Sequence, residues 1–153
     1  AGGIEEQGLQ LGGEVEPAPV QPDPQVPPRG LPDKAALLAG LGAPAGEPAG
    51  IPGPSLIIAF SVDCLACVAE LRQMAAVETR AREAGLRVVW AGIDADFKRV
   101  EEEFAKNQAP SRPWRLSTTL PTPSVYLLRG DRTDVFTGRF AVTAALEEAG
   151  RQR

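Results

Sequence analysis

Six consecutive residues, Ser55-Leu56-Ile57-Ile58-Ala59-Phe60, form a short continuous apolar run, the pattern of a strand buried on both faces of a sheet. The period then changes to helical. Between Cys64 and Ala84, Cys67, Val68, Leu71, Met74 and Ala75 form a stripe, while Glu70, Arg72, Gln73, Glu78, Arg80 and Arg82 fill other positions and Gly85 supplies the stop. Leu86 to Ala91, with paired valines and Trp90, reads as a second central strand. Asp94 or Asp96 caps a second helix in which Phe97, Val100 and Phe104 recur at helical spacing, and Lys98, Arg99, Glu101, Glu102, Glu103 and Lys106 make its solvated face. Residues 108–122 read as a long polar loop around Pro110, Pro113 and Pro121, with Trp114 in its middle. Ser124 to Leu128 and Thr133 to Thr137 are strands joined by a hairpin turn at Arg129-Gly130-Asp131-Arg132, and Val142 to Ala149 is a closing helix ended by Gly150. The order β-α-β-α-β-β-α predicts parallel pairing of the first two strands and an antiparallel hairpin at one edge, a single α/β sandwich.

Residues 1–54 do not follow this pattern. They hold 11 of the 16 Gly and 11 of the 15 Pro, but no aromatic residue and no Cys. Such a stretch has little apolar surface to offset the entropy of ordering itself, which predicts a leader or tether ahead of a globular domain over 55–153. Where polyproline II dominates, the leader extends at ~3.1 Å per residue. One island within it looks ordered: Asp33 followed by Lys34 to Leu41 reads as a short capped helix with Leu37, Leu38 and Leu41 on one side. That helix either packs on the domain or offers a docking element to a partner. The chain opens on Ala rather than Met, which fits a mature form after removal of a signal peptide or a trimmed chain, and the Pro-rich leader favours the former.

Composition excludes several chemistries. With no His in the chain, Ser-His-Asp and Cys-His machinery cannot be built, nor any zinc site that needs imidazole. Two Cys are too few for a four-cysteine metal site, and no apolar run reaches the eighteen residues of a membrane span. The net charge of −4 sits mostly in residues 1–54, which carry seven acids and two bases. The remainder is near neutral and has no electrostatic footprint for nucleic acid. Neither a cofactor nor a metal is expected.

What remains is sulfur chemistry. Cys64 and Cys67, spaced C-x-x-C, fall directly after the first strand at the start of the first helix. The unpaired N–H groups and positive dipole end of a helix's first turn favour a thiolate on Cys64. One turn of helix brings the second sulfur within bonding reach, with Cys64 as the exposed attacking thiol and Cys67, facing the apolar stripe, as the resolving one. The bland alternative is two reduced cysteines serving as small core residues.

A strand, then C-x-x-C opening a helix, then β-α-β-β-α, resembles the thioredoxin fold over roughly residues 55–150. Within that fold the sequence is most similar to the TlpA/ResA-like group of extracytoplasmic thioredoxins. Cys64-Leu65-Ala66-Cys67-Val68-Ala69-Glu70 reproduces the group's C-x-x-C-x-x-E spacing, and Ile57-Ile58-Ala59-Phe60 its first core strand. Val88-Val89-Trp90-Ala91-Gly92-Ile93-Asp94 matches its valine-rich strand followed by Asp, and Thr122-Pro123-Ser124-Val125-Tyr126-Leu127 its Pro-Thr-x-x-x-Leu stretch. The resemblance implies that Pro123 is a cis-proline facing the cysteines, that Thr122 and Pro123 present backbone to an incoming peptide, and that Glu70 handles protons during exchange. A proline at the very start of a strand is also a position where its missing N–H is tolerated; Pro121 competes for the role but does not abut the strand. Asp63 stands where the group usually has Trp, and the Trp114 loop is expected to flank the substrate cleft. Leu65-Ala66 lacks the group's common Pro, Arg72 replaces another proline, and the group's N-terminal hairpin is not visible in residues 1–54. Asp63 and Glu70 lie near Cys64 with no Lys, Arg or His in the motif, which disfavours a thiolate and predicts a reducing potential, near the ~−270 mV of thioredoxin.

The leading expectation is therefore an extracytoplasmic thiol–disulfide oxidoreductase. It would act on a disulfide- or dithiol-containing protein substrate and be served by an upstream thiol donor, membrane-bound in that family. It would be periplasmic or otherwise extracytoplasmic, tethered through a segment this chain lacks or free. The alternative is a redox-silent thioredoxin-fold interaction module in an envelope protein assembly, favoured by the missing Trp and the Leu-Ala pair. A peroxidase would use Ser61, three residues before Cys64, but Ile57 stands where its motif needs proline, and copper chaperoning would want a His.

Overall fold

The computed structural model describes residues 30–151. In chain order the elements are α1 (Lys34–Ala39), β1 (Leu41–Gly42), β2 (Ser55–Phe60), α2 (Leu65–Leu71), α3 (Met74–Glu83), β3 (Arg87–Gly92), α4 (Phe97–Lys106), β4 (Trp114–Leu116), β5 (Ser124–Arg129), β6 (Arg132–Thr137) and α5 (Ala141–Arg151). The strands form one six-stranded sheet in the order β1-β4-β3-β2-β5-β6. β2 is central: it runs parallel to β3, from Ser55 opposite Arg87 to Phe60 opposite Gly92, and antiparallel to β5. The β5–β6 hairpin pairs antiparallel as its turn residues predict.

All six residues of β2 are buried because the strand has chain on both faces. Leu56, Ile58 and Phe60 enter one core with Cys67, Leu71, Met74, Val100, Phe104, Val142 and Leu146, so α2 to α5 share this face. Phe60 stacks on Phe104 with ring centroids 5.6 Å apart. Gly92 allows α4 close to β3, since a Cβ there would lie 3.1 Å from Val100. Ile57 and Ala59 enter the opposite core with Leu37, Val89, Trp114, Leu116, Tyr126 and Leu128.

That second core moves the boundary drawn at residue 55. α1 starts on the cap its sequence predicts, with the Asp33 carboxylate accepting from the Ala36 N–H at 2.8 Å, and inserts a fully buried Leu37, but it ends at Ala39 rather than Leu41, because Leu41 opens β1 in the sheet. β1 pairs with β4, Ser117 N–H donates to the Gly40 carbonyl at 2.9 Å, and the Tyr126 hydroxyl donates to the Pro32 carbonyl at 2.5 Å. The end of the Pro/Gly-rich segment thus packs on the domain, because without it the second face of the sheet would lie bare. Residues 1–29, the rest of the expected leader, lie outside the described residues.

Three further expectations are corrected. The single helix over 64–84 is two, broken at Arg72-Gln73, where no Gly or Pro signals a break; Ala75, assigned to the apolar stripe, is exposed. Met74, Val77 and Ala81 carry the buried face of α3 instead. Its end is as read: Gly85 at φ +77 lets Leu86 N–H reach Ala81 O and Gly85 N–H reach Arg82 O. The loop over 108–122 contains β4, since three residues suffice to pair with the last two positions of β3. No helix among the described residues is long and apolar enough to cross a membrane.

Candidate active site

Cys64 and Cys67 sit where β2 ends and α2 begins. Cys64 is the N-cap of α2, and its Sγ accepts from the Cys67 N–H at 3.2 Å, in the place where a Ser or Asp oxygen commonly serves. Its thiol also faces the Thr122 carbonyl, to which it donates at 3.6 Å. Cys64 is partly exposed, whereas Cys67 is buried at 1% exposure in the core of α2 to α5. Both are free thiols. Burial pushes the Cys67 thiol well up from its ordinary value, and its hydrogen bond to Cys64 adds to this; the Ser61 backbone and the Thr122 side chain act the other way. At neutral pH Cys67 therefore holds its proton.

In the turn ahead of Cys64, every N–H from Val62 to Cys64 is hydrogen-bonded. Val62 N–H donates to Asp94 Oδ1 at 3.2 Å, Asp63 N–H to Ser61 Oγ at 3.0 Å and Cys64 N–H to the Ser61 carbonyl at 3.2 Å. Ser61 Oγ–H in turn donates to Asp94 Oδ2 at 2.9 Å. Asp94 is thus spent on the thiol loop and caps no helix; Asp96 takes the N-cap position of α4 without a side-chain hydrogen bond. These bonds engage Ser61, so it is not the free hydroxyl the peroxidase reading needs.

Asp63 is exposed and its carboxylate takes two hydrogen bonds from the Arg99 guanidinium, at 2.6 and 3.2 Å. Arg99 holds the Asp63 carboxyl below its ordinary range. The expectation of uncompensated negative charge at the motif is corrected accordingly: the chain brings a cation from α4, 36 positions on. Glu70 lies one helical turn past Cys67, and burial raises its carboxyl above the ordinary value.

The Thr122–Pro123 peptide bond is cis, and Pro123 is buried against the start of β5, with its carbonyl accepting from Gly138 N–H at 3.1 Å. Cys64, Cys67, Asp63, Thr122 and Pro123 are therefore gathered at one end of the sheet. Trp114 is not among them. It is 2% exposed in the opposite core, with Arg87 over its ring at 5.5 Å, so the expected flank of a substrate cleft is a core side chain of β4. Sequence reasoning missed Asp94 and Arg99 as partners of the thiol loop. Along the chain Asp94 has the pattern of a helix cap and Arg99 that of solvated surface, and both contacts span more than 30 positions.

No family model matches the chain, and no curated protein matches it. Solved structures do. MTB DsbF, described in mixed oxidised and reduced forms, is similar at 15% identity and a TM-score of 0.53, covering 67% of this chain and 83% of its own. StoA from Bacillus subtilis is similar at 14% identity and a TM-score of 0.53, covering 64% and 83%. A secreted thiol-disulfide isomerase from Corynebacterium glutamicum is similar at 14% identity and a TM-score of 0.50, covering 63% and 68%. At these identities the likeness establishes the fold: the described chain has a thioredoxin-like α/β architecture.

Proposed function

We propose that the chain is a thiol–disulfide oxidoreductase of the TlpA/ResA-like kind, acting on protein disulfides through Cys64 and Cys67. The observation that carries this reading is the asymmetry of the pair: a partly exposed Cys64 capping α2, and a buried, protonated Cys67 one turn behind it. The Cys64 thiolate attacks one sulfur of a client disulfide, forming a mixed disulfide and releasing the first client thiolate. Cys67 then gives up its proton and attacks Cys64 Sγ, closing the Cys64–Cys67 disulfide and releasing the second client thiolate. The client gains two electrons and this chain loses two, so an external dithiol must restore it.

Thr122, whose carbonyl faces the Cys64 thiol, presents backbone to the client beside Pro123. Glu70, held toward its neutral form by burial, serves as a proton acceptor or donor during resolution. Disulfide chemistry in a thioredoxin-like domain fits an extracytoplasmic site of action, and the similar Corynebacterium glutamicum protein is a secreted one.

The test is trapping with a disulfide-bonded protein substrate, together with a redox titration. Cys67→Ala should accumulate a mixed disulfide, Cys64→Ala should not, and the wild-type pair should titrate as one reversible two-electron couple. A couple that stays oxidised under all but the harshest reductant, or thiols that never exchange, would return the chain to the redox-silent interaction module.

A further inference from the structure

The turn that carries Cys64 owes its shape to a residue just beyond another strand. Asp94 lies two positions past the end of β3, where Ile93 N–H pairs with the Phe60 carbonyl at 3.0 Å and so holds β3's exit against that of β2. From there its two carboxylate oxygens divide: Oδ1 takes the Val62 N–H and Oδ2 the Ser61 hydroxyl. Ser61 passes the constraint on, its Oγ to Asp63 N–H and its carbonyl to Cys64 N–H. Each N–H from Val62 to Cys64 is thus fixed either by Asp94 or by the residue Asp94 holds. The other clamp, Arg99 on Asp63, lies at the surface, where an ion pair is screened and weak.

We infer that Asp94 is a positioning residue for thiol–disulfide exchange, fixing through Ser61 the turn that aims Cys64 Sγ at an incoming disulfide. The inference rests on the oxidoreductase reading. Attack on a disulfide requires the nucleophilic sulfur on the axis of the bond being broken, within about 3–3.5 Å, and a misplacement of about 1 Å costs on the order of 100-fold. A small alkylating agent makes no such demand on direction. Asp94 therefore matters for exchange with a folded client and little for the intrinsic reactivity of the thiol.

The experiment uses the full chain with Asp94→Ala, Asp94→Asn and Ser61→Ala. Asp94→Asn keeps Oδ1 for Val62 N–H, and its amide can donate to Ser61 Oγ, so it serves as the rescue variant; Ser61→Ala removes only the relay. The rate of reduction of a disulfide-bonded protein should fall about 10- to 100-fold in Asp94→Ala, fall less in Ser61→Ala and stay within about threefold in Asp94→Asn. Alkylation of Cys64 by iodoacetamide should stay within about twofold throughout. Amide hydrogen exchange at Val62, Asp63 and Cys64 should quicken about tenfold or more in Asp94→Ala while β2 and β5 keep their protection.

Unchanged client reduction and unchanged protection of residues 62–64 in Asp94→Ala would overturn the inference. So would a loss of protection spread over the whole sheet, which would mark Asp94 as a general structural residue. If the wild-type chain exchanges no disulfide, the oxidoreductase reading fails on its own, while the amide measurement still decides whether Asp94 fixes the turn under Cys64.

Discussion

Leu37 and Leu65 are the same residue in opposite settings, and truncating each to Ala measures whether α1 belongs to the folded unit. Leu37 is fully buried in the core that Tyr126, Trp114 and Ile57 also enter, whereas Leu65 is 89% exposed beside Cys64. Emptying a buried leucine site costs about 2.7–5 kcal/mol, combining lost transfer energy with the cavity left behind. A surface truncation away from special features stays within about 0.5 kcal/mol. With a urea slope of about 1.5 kcal/mol per molar, a loss of about 3 kcal/mol lowers the unfolding midpoint by about 2 M for Leu37→Ala, against a few tenths for Leu65→Ala. The assay is urea unfolding followed by tryptophan fluorescence, since Trp90 and Trp114 are both buried and report the two faces of the sheet. If Leu37→Ala unfolds with the midpoint and slope of Leu65→Ala, α1 contributes nothing to the cooperative unit, and the boundary at residue 55 stands after all.

Two further outcomes follow from the titrating groups. Tyr126 is the only tyrosine, so its ionisation can be read by ultraviolet absorbance; burial, with Asp33's charge adding to it, pushes its hydroxyl up to about 12. The native chain should therefore show almost no tyrosinate at pH 10.5, while the urea-unfolded chain titrates near 10. Because the folded state keeps a proton that the unfolded state loses, stability should fall as pH rises from about 10 through that folded value. An ordinary native titration near 10 would refute the burial of the Tyr126 hydroxyl. For Glu70, burial raises the folded carboxyl above its unfolded value of about 4.3, so its contribution to stability declines as pH rises through that window. Glu70→Gln should accordingly gain on the wild type between pH 4 and pH 7 in matched urea titrations, and a gain in the opposite direction would mean that an unrecognised partner stabilises the charged form.

Much of the site was readable because its parts are local. Cys64 and Cys67 are three residues apart, and the change from the apolar run of β2 to the helical period of α2 puts them at a strand–helix junction from spacing alone. Thr122 and Pro123 could be placed at the head of β5 because a strand tolerates proline there. The helix break at Arg72-Gln73 carries no local signal, and β4 is too short for periodicity to separate it from the loop around it. Trp114 illustrates the limit: a tryptophan between prolines in a polar stretch reads as exposed, yet pairing with β3 turns it inward.

The sequence by itself determined the alternation of strand and helix, the central place of β2, the absence of imidazole chemistry and the placing of a C-x-x-C pair at a helix start. These follow from composition and from periods of two and 3.6 residues, which need no knowledge of distant partners. Tertiary structure alone decided that Leu37 and β1 complete the sheet's second face, that Arg99 neutralises Asp63, and that Asp94 holds the turn beneath Cys64. The pairing of β1 with β4 and the Arg99 and Asp94 contacts join positions more than 30 residues apart, where the pattern along the chain is silent and only packing against a common sheet brings the partners together.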